Sequence, residues 1–147
     1  MPEAQTRTVE EALAGLLARN KSLKLATAGG PVSPWITGTY FIAEGLFTLY
    51  FTLEKGGKGM ANVKANPRVA LAIDDSDPFT LFVQAEGKAS IVDPAAAQPF
   101  YAGLRKKIPE IEPLLAGDLH MMRIDVTTWR ATSFPDGWFP ARVLKAP

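Results

Sequence analysis

Residues 46–67, LFTLYFTLEKGGKGMANVKANP, read as a strand, a basic glycine-rich loop, a short helix and an Asn-Pro stop. Leu46 to Leu53 is dense in β-forming side chains, and Met60 to Ala65 runs as a helix until Asn66-Pro67 ends it. Between them the chain empties into Lys55, Gly56, Gly57, Lys58 and Gly59. Glycines let backbone N–H groups turn inward, lysines add charge, and a helix N-terminus adds a partial positive charge. The stretch suggests a site for a phosphate-bearing ligand. The same lysines also suit a solvated loop. GGKG lacks the full Walker spacing, so nucleotide hydrolysis is not indicated.

Strands and turns alternate outward from this stretch. Upstream, Leu23 to Ala28 is a strand, Gly29-Gly30-Pro31 a turn, and Val32 to Ala43 an extended segment with Pro34 at an edge or bulge. Thr8 to Glu11 has capping-box form and opens an amphipathic helix over 9–19. Downstream come Arg68 to Ile73, then Phe79 to Val92 with a bulge expected at Gly87. A helical region spans Ala95 to Lys107 and a second short helix Pro109 to Leu115. His120 to Val126, Trp129 to Phe134 and Trp138 to Leu144 are late strands, the last two joined by the turn Pro135-Asp136-Gly137. Regular turns with few interstrand helices predict a mainly β (α+β) protein, a small antiparallel barrel with peripheral helices. Residues 1–147 form one domain in this reading, with the helix of segment 1–20 packed on the barrel.

If Glu44-Gly45 is a two-residue turn, Thr39 lies opposite Tyr50 and Thr37 opposite Thr52. Directly opposed residues share a face. One face then carries Thr37, Thr39, Phe41, Thr48, Tyr50 and Thr52, and its Thr37/Thr52 end runs into the lysine loop. A flat polar ligand would fit there with its phosphate at the loop. Thr and Tyr equally suit a solvated sheet face.

Composition narrows the chemistry. With no cysteine, the chain has no disulfide, thiolate nucleophile or cysteine metal site, which fits a cytoplasmic protein. A lone histidine, His120, leaves little for a multi-histidine metal site or a Ser-His-Asp triad, and reads as a surface or strand-edge residue. Lys plus Arg total 16 against 15 for Asp plus Glu, so no broad basic surface awaits nucleic acid or membrane. The start lacks a signal-peptide apolar run, and no stretch reaches the roughly 20 apolar residues of a membrane span.

LATAGGPV (25–32), TYFIAEG (39–45), LYFTLEKGGKGMANVKANPRVALAI (49–73) and VQAEGKASIVD (83–93) follow one another in a familiar order. The most specific piece is Asn62-Val63-x-x-Asn66-Pro67-Arg68-Val69. The chain resembles the pyridoxamine 5'-phosphate oxidase-like FMN-binding split-barrel family. The resemblance implies a split β-barrel homodimer with FMN in a cleft at the dimer interface. Thr37, Gly38 and Thr39 would run beside the isoalloxazine, Thr52 would supply a hydroxyl, and Lys58 would hold the phosphate, with Lys55 in support. Trp138 or Arg142 would reach the partner's cofactor, although Trp138 also suits core or interface packing.

The chain departs from the family pattern in three places. Gly57 and Gly59 stand where a Ser-x-Lys pattern is common, and Phe82 stands where a flavin-contacting Gln is common. The substrate-binding His and Arg of true pyridoxamine phosphate oxidases have no match in SFPDGWFPARVLKAP. The expectation is an FMN-dependent, flavin reductase-like oxidoreductase taking hydride from NADH or NADPH, not a pyridoxamine phosphate oxidase. The alternatives are a haem- or deazaflavin-binding module and a cofactor-free dimeric scaffold.

Overall fold

A computed structural model describes residues 6–75, 77 and 79–147. Seven strands form one antiparallel sheet: β1 (Ser22–Thr27), β2 (Trp35–Glu44), β3 (Thr48–Glu54), β4 (Arg68–Asp74), β5 (Phe82–Ile91), β6 (Leu119–Ser133) and β7 (Trp138–Lys145). The order β3-β2-β1-β4-β5-β6 closes on itself because β3 also pairs with β6, and β7 extends β6 as a seventh strand. Closure removes the free edges that a sheet of this size would otherwise expose. The expected mainly β antiparallel barrel with peripheral helices is the architecture found.

Period-2 alternation fills the interior. Leu23, Leu25, Phe41, Leu49, Phe51, Leu71, Val83, Met122, Ile124 and Trp129 point inward and are almost wholly buried. Each such side chain contributes about 2 kcal/mol of burial. Helix α1 (Val9–Arg19) is capped by Thr8, whose Oγ1 accepts from Glu11 N at 3.1 Å, and buries Leu13, Leu16 and Leu17 in the same core. Helix α2 (Lys58–Ala65) adds Met60 and Val63. A second, smaller cluster lies on the outer face of β3 and β6. There Tyr50 and Met121 are covered by helices α3 (Gln98–Lys107) and α4 (Glu112–Leu115), and the Tyr50 and Phe100 rings stack at 3.7 Å.

Two local expectations change. The late strands 120–126 and 129–134 are one strand, β6, with Thr127 as an inserted residue opposite the Glu86/Gly87 step. The Thr127 hydroxyl donates to Glu86 O at 3.1 Å, so a bulge replaces a break. The β2–β3 hairpin turns through Gly45, Leu46 and Phe47, and Glu44 pairs with Thr48, Ile42 with Tyr50 and Phe41 with Phe51. The two-residue turn is therefore incorrect. Strand β6 explains why: Trp129 Nε1 donates to Leu46 O at 2.7 Å and Val126 N to Phe47 O at 2.9 Å. These bonds draw Leu46 and Phe47 out of the hairpin ladder.

Candidate functional site

The corrected register dissolves the five-hydroxyl face. Phe41 and Phe51 share the interior, while Tyr50 turns outward beneath α3. The β2–β3 ladder runs only from Glu44/Thr48 to Phe41/Phe51. Beyond it the two strands diverge, with β2 following β1 and β3 following β6. A cleft of about 460 Å³ opens in this split, and the first turn of α2 borders it.

Five of the residues singled out from sequence line the cleft: Thr37, Gly38, Thr39, Thr52 and Lys58. Thr39 and Thr52 meet by a different contact from the one expected, since the Thr39 hydroxyl donates to Thr52 O at 3.2 Å. The turn 56–59 forms one end of the cleft. Gly57 is the N-cap of α2 and has no side chain, so the backbone N–H groups of the first helical turn lack a side-chain acceptor. With Lys58 they make a donor set suited to an anion.

Lys55 and Trp138 lie elsewhere. Lys55 is tied to Asp118 by a backbone hydrogen bond of 2.9 Å and an ion pair of 3.2 Å, and it does not line the cleft beside Lys58. Trp138 belongs to the core, 6% exposed, with the Arg7 guanidinium 5.8 Å from its ring centroid. Arg7 in turn pairs with Asp136 at 2.8 Å, and that contact holds the Asp136 carboxyl below its usual range. Trp138 thus has the core packing that the sequence offered beside a cofactor contact, and it does not line this cleft.

Two features of the cleft escaped sequence reasoning. Trp35 lines it, and Lys58 Nζ stands 4.4 Å from the Trp35 ring centroid. Glu54 brings a carboxylate beside Gly57. On the opposite, outer face of β2, Lys24 Nζ lies 3.0 Å from where a Gly38 Cβ would stand, and Lys24 lines the neighbouring groove rather than the cleft. Leu114 and Leu119 close the far wall. Among the described residues no cluster of three His, Asp or Glu side chains is arranged for a metal, and no helix is long and apolar enough to cross a membrane.

The residues fit a planar phosphorylated cofactor. The α2 turn and Lys58 would hold the phosphate, and the β2 backbone at 37–39 with its hydroxyls would flank the ring. Glu54 leaves the anion end with a carboxylate beside one cation.

The chain is similar in fold to several solved structures. A haem binding protein from Mycobacterium smegmatis superposes with a TM-score of 0.77 at 16% identity, over 95% of this chain and 58% of that one. An F420 reductase matches with a TM-score of 0.66 at 25% identity, over 82% of this chain and 98% of that one. HutZ, the haem storage protein from Vibrio cholerae, matches with a TM-score of 0.67 at 18% identity, over 82% and 91% of the two chains. No curated protein matches the sequence. The sequence model of the pyridoxamine 5'-phosphate oxidase family matches residues 9–133, which span the whole barrel except β7, and the chain belongs to that family.

Proposed function

We propose that this protein is an FMN-binding, flavin reductase-like oxidoreductase acting as a homodimer. The observation that carries this reading is the cleft, which brings Thr37, Gly38, Thr39 and Thr52 to one end of a glycine turn bearing Lys58. FMN, when bound, supplies hydride and single-electron chemistry from a nicotinamide donor. The chain's own residues bind and orient. Lys58 and the first N–H groups of α2 receive the phosphate, the 37–39 backbone positions the ring edge, and Leu114 and Leu119 exclude water.

A homodimer is supported by the outer face of β1, β4, β5 and β6. A groove of about 580 Å³ runs over it, floored by small side chains such as Ala26, Ala70 and Ala72. Ile36 and Val143 stand 64% and 49% exposed at its borders, an apolar face that a second copy would cover. Lys24 of this groove stands against Gly38 of the cleft, so a partner seated there would reach the edge of the cleft.

Haem is the second reading, because the Mycobacterium smegmatis relative is a haem binding protein. The single imidazole, His120, follows Leu119 on β6 but does not itself line the cleft. That placement favours flavin. Lys58→Glu separates the readings, since it replaces the phosphate partner with a repelling charge. FMN binding, followed by flavin emission, is expected to be abolished at an unchanged melting temperature. An unaltered FMN titration in this variant would remove the phosphate from α2.

A further inference from the structure

We propose that Trp35 is the stacking platform of the cleft, and that Lys58 covers its face until an anion draws the ammonium away. The inference rests on the flavin reading above. Lys58 begins α2, yet its Nζ lies 4.4 Å from the indole centroid. Among the described residues no carboxylate forms an ion pair with it. The cation–π contact is therefore its principal partner. Such a contact is weaker than a charge-assisted hydrogen bond to a phosphate oxygen. A phosphate at the helix N-terminus would thus capture the lysine.

The indole would stay behind when the lysine leaves. Trp35 is the first residue of β2, and its Nε1 donates to Thr37 Oγ1 at 3.2 Å, which fixes the ring against its own strand. The face vacated by Lys58 borders the cleft beside Thr37 and Gly38. A ligand that joins an anion to a flat aromatic ring satisfies both groups in one event: the anion moves the lysine and the ring replaces it. A ring without the anion must compete with Lys58 for the indole. Trp35 and Lys58 together are thereby specificity determinants for phosphorylated over unphosphorylated flavin.

The test uses the full chain and three probes: inorganic phosphate, FMN and riboflavin. Trp129 and Trp138 are buried, so a tryptophan emission change on adding phosphate, absent with chloride at equal ionic strength, reports Trp35. It should vanish in Trp35→Phe. Stacking on an indole quenches flavin emission, so FMN should darken on binding the native protein. In Trp35→Leu it should bind about tenfold more weakly and stay bright, and Trp35→Phe should restore the affinity. Riboflavin should bind the native protein at least about tenfold more weakly than FMN, and in Lys58→Met the gap should close. If FMN binds Trp35→Leu with native affinity and quenching, or phosphate leaves Trp35 emission unchanged, the platform is refuted while the flavin reading stands. If the native protein binds no FMN, both fall.

Discussion

Gly30 lies against Asn62 with no room for a side chain. A Cβ there would come within 2.1 Å of Asn62 Oδ1 and 2.6 Å of its Cα. Asn62 is wholly buried on α2 and donates to Thr27 Oγ1 at 3.1 Å and Val32 O at 3.2 Å, pinning the β1–β2 loop to the helix that carries Lys58. Gly30→Ala should destabilise the fold by about 1–3 kcal/mol, read as a lower urea midpoint, because neither neighbour is the flexible end of a long side chain. An unchanged midpoint would contradict this packing. The contact also explains why the segment 62–69 is the most specific part of the sequence: Asn62 holds the loop, and Asn66 Oδ1 accepts from Arg68 N to start β4. Trp35 was not legible in the same way. An aromatic residue at a strand start looks like core, and its role depends on a lysine that only the folded chain brings near.

Among the elements, α3 is fastened to the rest by its final residue. Lys107 Nζ donates to Leu17 O at 3.0 Å and Phe41 O at 3.1 Å, and sits 3.8 Å from the Phe41 ring centroid. Burial pushes its pKa down to about 8 from 10.5. Between these two values the unfolded chain holds the proton that the folded chain has released, so unfolding free energy should rise with pH across that window. The check is the stability difference between the native protein and Lys107→Met, measured by denaturant titration at several pH values. It should move in favour of the native protein from pH 8 to 10.5. Parallel profiles would mean that Lys107 titrates normally. Elements were largely readable from the chain, since α1 runs over 9–19 as its capping box and periodicity predict. The β2–β3 register was not readable, because its loop is set by bonds from Trp129 and Val126 on a strand remote in sequence. The three-residue shift put Tyr50 under α3 and moved the candidate site from a sheet face to the split between two strands.

For the molecule as a whole, strand density and turn spacing were enough to predict a small antiparallel barrel, and the bulge near Gly87 lets β6 run its full length across it. Closure through β3–β6 pairing was beyond local pattern, as was the split it leaves beside α2. Gly38 of that split abuts Lys24 of the outer groove, so the proposed dimer would link cofactor binding to assembly. Sedimentation velocity with FMN present, recorded in the protein band and in the flavin band, tests both at once. One boundary at twice the chain mass is expected, carrying flavin at one per chain. Flavin that stays behind with the solvent, or that travels in full with a single chain, would contradict it.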